Sequence, residues 1–229
     1  MKINKICTGD YNGTIKFINP KNGFSDRTIY YNSSQINLIR QIPFYSRIAV
    51  AAAPNILTYE VGSDNTLPLE TYIGHKKCVT SLDFFGDRTK MASCSEDKTV
   101  KIWDFKLPNK VNEFINDEPL CGVNVIDDNT IMSCDYEGNL NLFDQRKHGL
   151  LKNNYIGRDI SFTSISANTS KSLLAATDLK GDCFVFEMDK NYDLELIKRF
   201  SAHKSYNLRC GFNSASEFYL LINLNCAIF

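Results

Sequence analysis

The stretch "SEDKTVKIWDF", Ser95–Phe105, holds the chain's single tryptophan, Trp103, followed at once by Asp104. Outward from it, "GHKKCVTSLDFFGDRTKMASCSEDKTVKIWDF" breaks into short segments separated by turn residues. "VTSLDFF" alternates as a strand does, "GDR" is a turn, and "KMASCS" is a second strand of small residues. "EDK" is a tight turn, "TVKIWDF" a third strand, and "VNEFIN" a fourth. Short strands at this spacing, with no helical period, predict an all-β protein.

The pattern recurs. "GDYNGTIKFIN" (Gly9–Asn19) lines up with "CSEDKTVKIWD": Asn12 falls on Asp97, Thr14 on Thr99 and Ile18 on Trp103. Tyr59-Glu60, Phe143-Asp144 and Phe186-Glu187 take the Trp-Asp place in later copies, and Glu137 precedes Phe143 by six residues, as Asp97 precedes Trp103. The markers at 18, 59, 103, 143 and 186 are 40 to 44 residues apart. A four-stranded unit at that period is the signature of a WD-repeat β-propeller. His203 in "SAHKSYNLRCGF" opens a sixth copy, and Phe212 follows it by nine residues as Phe84 follows His75. Strand counting gives a first blade without its innermost strand, four whole blades and an incomplete sixth. The expectation is a single domain over 1–229 with about five and a half blades, reaching the third strand of the sixth copy near Phe229.

Twenty-six Lys and Arg balance 26 Asp and Glu, which argues against a dedicated nucleic-acid binder and against an anionic membrane as main partner. No apolar run is long enough to span a bilayer, and "MKINKICTGDYNG" lacks the apolar core of a secretory signal. The eight cysteines include no C-x-x-C pair, and most sit beside apolar or small residues. They read as buried free thiols of a reducing compartment.

His75, Ser93, Asp97 and Trp103 offer an imidazole, a hydroxyl and a carboxylate, as a catalytic set would. Their spacing instead puts them in the inter-blade loop, second strand, tight turn and third strand of one blade. There they form a structural hydrogen-bonded network. Ser95, on the same strand face as Ser93, could replace it. His203 is the equivalent loop histidine of the sixth copy, and His148 a solvated turn residue. Zinc-ligand spacing, a phosphate-cradling glycine loop and a G-x-S-x-G elbow are all missing from the sequence, so no catalysis, no cofactor and no metal are expected. Binding remains. By repeat phase one rim collects the loops before each first strand and the turns before each third, mixing tyrosines with charges of both signs. That composition suits a protein–protein contact, with Gln35, Tyr136 and Tyr206 as candidate contact residues.

Beyond the generic repeat, "CTGDYNGTIKF", "SSQINLI", "AVAAAPNILTYE", "SCSEDKTVKIWD", "AATDLKGDCFVFEM" and "SAHKSYNLRCGF" occur in the order of a known family. Over nearly its whole length the chain resembles the WD-repeat subunit of target-of-rapamycin (TOR) kinase complexes, the G-protein-beta-subunit-like family. The resemblance implies a non-catalytic, seven-bladed propeller that docks on the C-lobe of the TOR kinase domain and supports the active kinase. Its implied partners are the TOR kinase catalytic domain and other TOR-complex subunits, with no nucleic acid and no direct membrane insertion. Its implied location is the cytoplasm, with endomembranes reached through the complex. The chain departs from the family in its drifted markers, Phe-Asp, Phe-Glu and Tyr-Glu, and in the last blade and a half, which would lie beyond Phe229. "FDQR", Phe143–Arg146, resembles the W-D-x-R box of cullin adaptors, so the alternative is another WD-repeat adaptor such as a ubiquitin-ligase substrate receptor.

Overall fold

The computed structural model describes residues 5–32, 34–106, 110–147, 149–204, 207–212 and 218–222. Among them every regular element is a strand, and the strands pair antiparallel in chain order. The first sheet has three strands: β1 (Ile6–Gly9), β2 (Thr14–Ile18) and β3 (Ser25–Tyr30). The second is β4 (Ile36–Gln41), β5 (Arg47–Ala52), β6 (Asn55–Glu60) and β7 (Glu70–Tyr72). The third is β8 (Val79–Phe84), β9 (Lys90–Ser95), β10 (Thr99–Asp104) and β11 (Lys110–Ile115). The fourth is β12 (Leu120–Val125), β13 (Thr130–Asp135), β14 (Asn139–Asp144) and β15 (Gly149–Tyr155). The fifth is β16 (Phe162–Ala167), β17 (Leu173–Asp178), β18 (Asp182–Met188) and β19 (Leu194–Ser201), and β20 (Asn207–Phe212) pairs with β21 (Phe218–Ile222). These are the blades of a WD-repeat propeller: three strands, four sets of four, and two.

The chain divides into two compact units, Met1–Glu113 and Phe114–Phe229. In the first, Ile15, Phe17, Val50, Leu57 and Tyr59 form one apolar cluster, and Ala51, Tyr72, Leu82, Met91 and Trp103 another. In the second, Met132, Leu142, Phe162, Phe184 and Phe186 pack together. The repeat markers Tyr59, Trp103, Phe143 and Phe186 are at most 1% exposed. The first copy differs. There the fully buried ring is Phe17, while Ile18 is half-buried, and the β2–β3 ladder slips between these two residues.

Each first strand from the second sheet onward carries the same irregularity. The ladder with the second strand shifts between Ile36 and Leu38, Val79 and Ser81, Leu120 and Gly122, Phe162 and Ser164, and Asn207 and Arg209. A bulge leaves one residue out of the ladder and bends the strand. The side chains of three bulged residues bond a second-strand carbonyl: Thr80 to Cys94 O (3.2 Å), Cys121 to Cys134 O (3.2 Å) and Thr163 to Thr177 O (3.1 Å). First strands of neighbouring sheets are also tied. Asn37 Nδ2 donates to Val79 O at 2.9 Å, Ala167 N to Asn124 Oδ1 at 3.1 Å and Cys210 N to Ser164 Oγ at 3.3 Å.

In the first, third, fourth and fifth sheets the turn between the second and third strands is held by a side-chain acceptor at its first residue, while the second sheet turns through the cis Ala53–Pro54 bond. Asp10 Oδ1 accepts from Asn12 N and Thr14 N, Asp135 Oδ1 from Glu137 N and Asn139 N, and Asp178 Oδ1 from Lys180 N and Asp182 N. In the third sheet Ser95 Oγ takes Asp97 N at 3.1 Å. The fourth turn residue has positive φ in all four: Gly13 (80°), Lys98 (69°), Gly138 (81°) and Gly181 (87°). Lys98 thus sits where a Cβ is disfavoured. We expect Lys98→Gly to raise unfolding free energy by up to ~1 kcal/mol, strain relief outweighing the added freedom of the unfolded chain. At Gly138 an added Cβ would lie 2.9 Å from Gly157 O and 3.0 Å from Ile160 O. Gly138→Ala should therefore cost about 2 kcal/mol or more in the same denaturation experiment.

Candidate functional site

The loop before β8 delivers His75, β9 delivers Ser93, the following turn Asp97, and β10 Trp103. The structure brings all four side chains together. Trp103 Nε1 donates to Ser93 Oγ at 2.8 Å, and Ser93 Oγ lies 2.7 Å from His75 Nε2. His75 Nδ1 lies 2.9 Å from Asp97 Oδ2, which also takes Lys76 N at 2.8 Å. The short contact to the carboxylate requires the proton on Nδ1, so Nδ1–H donates to Asp97 and Ser93 O–H donates to Nε2. Thr99 Oγ1 donates to the other Asp97 oxygen at 2.6 Å. Ser95 makes different bonds, to Lys77 O and from Asp97 N.

Burial lowers the His75 pKa, against the hydrogen bond and charge of Asp97, so the imidazole is neutral at pH 7. Burial pushes Asp97 up, but the bonds from His75, Thr99 and Lys76 prevail and hold it well below the usual carboxylate range. Ser93 is fully buried, and every heteroatom of the chain of bonds is engaged within one blade. Such a set has no free nucleophile and no base open to a substrate.

The fourth sheet solves the same problem with other chemistry. Asn116, at the place of His75 before its first strand, donates to Asp135 Oδ2 at 3.2 Å, and Asn141 donates to the same oxygen at 3.0 Å. Asp135 is 1% exposed. Ser133 stands in the place of Ser93, but its Oγ has no partner among the described residues, since the Phe143 ring carries no N–H. Glu137 and Asn12, which residue counting aligns with Asp97, are exposed. The carboxylates at work in those repeats lie two residues earlier, at Asp135 and Asp10. In the fifth sheet Asp178 is fully buried with Oδ2 unpartnered among the described residues, and burial raises its pKa.

Of the rim candidates, Gln35 is exposed in the first unit, its carbonyl accepting Ala53 N. Tyr136 is half-buried in the second unit, its carbonyl accepting Ser161 Oγ at 2.7 Å. It lines a groove of about 520 Å³ with Glu137, Tyr155, Arg158, Asp159 and Lys180. Tyr206 and His148 lie outside the described residues. The Arg146 guanidinium of "FDQR" forks onto Asp144 in its own turn, at 3.1 and 2.9 Å. Seven cysteines are described, all free, and Cys94, Cys121, Cys134 and Cys183 are buried. Among the described residues no group of three His, Cys, Asp or Glu side chains could hold a metal ion.

Sheets of this order, with this turn and this network, define a WD-repeat β-propeller protein. A family profile described as "WD domain, G-beta repeat" matches residues 61–104. A chain of the "Crystal Structure of Mitotic Checkpoint Complex" superposes with a TM-score of 0.82 over 95% of this chain and 68% of its own, at 14% identity, which speaks to fold alone. The chain is 31% identical to "Target of rapamycin complex subunit LST8" of Saccharomyces cerevisiae, over 89% of its length and 69% of the relative's. It is 28% identical to "Target of rapamycin complex subunit wat1" of Schizosaccharomyces pombe, over 90% and 67%. It is 27% identical to the LST8 subunit of Bos taurus, over 92% and 67%. The chain belongs to this LST8 family of target-of-rapamycin complex subunits.

The network makes stability depend on pH. His75 has a folded pKa below its unfolded value of about 6.5, so its contribution is complete above that pH and declines as pH falls below it. Asp97 adds a second loss below its unfolded pKa of about 3.9. His75→Asn should flatten the stability profile between roughly pH 7 and 5 relative to the parent chain, as followed by urea denaturation. His75→Ala, which strands Ser93 and Asp97, should cost about 3 kcal/mol at pH 7, and Trp103→Phe, which removes one donor, about 1 kcal/mol.

Proposed function

We propose that this protein is a non-catalytic scaffold subunit of a TOR complex, which binds the TOR kinase domain and stabilises its active arrangement in nutrient and growth signalling. The observation that carries this reading is membership of the LST8 family over nine-tenths of the chain. The polar set most like a catalytic centre supports it too, because that set is consumed by hydrogen bonds within its own blade. A subunit that binds only the folded, active kinase shifts the kinase toward that state by mass action. Gln35 and Tyr136 are the proposed contact residues, and Tyr206, outside the described residues, is a third by its place in the sequence repeat. In the groove beside Tyr136, Glu137, Arg158, Asp159 and Lys180 form no ion pair among the described residues. Such a groove is ready to pair with a partner of mixed charge. The proposal includes a cytoplasmic location. Among the described residues no helix is long and apolar enough to cross a membrane.

The test is binding of the purified chain to a purified TOR kinase domain. Gln35→Arg combined with Tyr136→Arg should weaken binding about tenfold or more, with unchanged circular dichroism. Arg146→Ala, which frees only Asp144, should leave binding as it was. A parent chain that fails to bind the kinase domain sinks the reading. A folded double variant that binds normally removes these two residues from the contact.

A further inference from the structure

A bulge sets two residues of one strand opposite one residue of the next, so the bulged side chain lies beside that opposing residue. Three first strands show the contact. In the third sheet Thr80 Oγ1 lies 3.3 Å from Cys94 Sγ, and in the fifth Thr163 Oγ1 lies 3.0 Å from Thr177 Oγ1. In the fourth both residues are cysteines, and Cys121 Sγ lies 3.2 Å from Cys134 Sγ. The second residue opposite Cys94 is Ser81 and that opposite Thr177 is Ser164, but opposite Cys134 it is Gly122. A Cβ added at Gly122 would come within 2.8 Å of Cys134 Sγ, so the glycine leaves room for the sulfur.

The two sulfurs touch without being joined, since neither cysteine is in a disulfide. Cys121 Sγ–H instead donates to Cys134 O at 3.2 Å. Residues opposed across an antiparallel pair have Cα atoms about 4.5–5.5 Å apart, within the span that a disulfide bridges. Bonding needs an approach of about 1 Å between the sulfurs, which side-chain rotation supplies while the strands stay paired. Cys121 is 4% exposed and Cys134 0%. Burial pushes the Cys134 thiol well above its usual value, so thiolate is scarce and a first oxidation is slow. The second step is favoured, because the partner sulfur is already in contact and the reaction is intramolecular. Proximity, and not thiol acidity, sets this pair apart from the other cysteines.

We propose that Cys121 and Cys134 form a redox modification site, a dithiol that a hydroperoxide converts reversibly to a disulfide between β12 and β13. Hydrogen peroxide oxidises the Cys121 thiol to a sulfenic acid and releases one water. The Cys134 sulfur then attacks the Cys121 sulfur. An S–S bond forms, the S–O bond breaks, and the hydroxyl leaves as a second water with the Cys134 proton. The two thiols give up two electrons in all, and the peroxide takes them. A dithiol reductant returns both thiols by exchange. The bridge would staple the first strand to the second immediately before Asp135, whose carboxylate holds the turn that carries Tyr136. The site does not depend on the kinase contact proposed above.

The test is treatment of the folded, reduced full chain with hydrogen peroxide, followed by alkylation of remaining thiols in urea. Cleavage at Asp127 and Asp128, between the two cysteines, and mass spectrometry without reductant then show the pairing. A linked Cys121–Cys134 pair should be the main disulfide, and dithiothreitol should remove it. Peroxide added after unfolding in urea should give about tenfold less of it, because the contact is gone. Cys121→Thr reproduces the Thr–Cys contact of Thr80 and Cys94, so it separates oxidation from folding. It should keep the circular dichroism of the parent and yield no disulfide at Cys134. The proposal is overturned if peroxide that oxidises the half-buried Cys7 and Cys78 leaves this pair reduced. It is overturned equally if Cys134 pairs mainly with another cysteine, or if the unfolded chain gives as much of the link as the folded one.

Discussion

Four of the five sheets that turn from a second strand into a third depend on how the backbone N–H groups of that turn are satisfied; the second sheet turns through the cis Ala53–Pro54 bond instead. In those four the chain runs through a residue of positive φ, and its amides cannot all pair with the ladder. An oxygen on the first turn residue takes them: Asp10, Ser95, Asp135 or Asp178. A buried amide left without such an acceptor costs as much as the turn could gain. Once the turn is fixed, the register of the second and third strands is fixed, and with it the inward placement of the marker ring.

The third sheet shows what a change at that position allows. With Ser95 closing the turn, the carboxylate moves two residues on to Asp97, where it reaches His75 in the preceding loop. The loop, second strand, turn and third strand then share one chain of bonds ending on Trp103. The fourth sheet keeps the carboxylate at Asp135 and surrounds it with asparagines, leaving Ser133 without a donor among the described residues. The fifth keeps a buried Asp178 with one oxygen unpartnered among the described residues. One architecture thus tolerates three polar solutions of falling completeness, because apolar burial supplies most of the stability and the polar groups mainly fix geometry.

This division of labour suits a scaffold. The groups with chemical potential are locked in the blades, and the variable chemistry is at the two ends of the sheets. In the second sheet Gln35 lies before the first strand, at one end, and Phe44 in the turn at the other.

The sequence by itself determined the repeat. Tyr59, Trp103, Phe143 and Phe186 recur because each blade must bury one large side chain at the same depth, and a period of 40 to 44 residues with turn residues between strands leaves no other architecture. The quartet of His75, Ser93, Asp97 and Trp103 was legible for the same reason, since its spacing is that of the repeat. Tertiary structure decided the rest. Counting back from the marker aligns Glu137 and Asn12 with Asp97, yet both are exposed, and the acceptors are Asp135 and Asp10. Counting also makes Ile18 the first buried marker, whereas Ile18 is half-buried and the fully buried ring is Phe17, one residue earlier. The bulges of the first strands and the left-handed Phe44 and Arg88 are equally silent in the sequence. Periodicity records which residues share a face. Which donor meets which acceptor depends on ladder shifts and backbone angles that arise only when strands from distant parts of the chain are brought side by side.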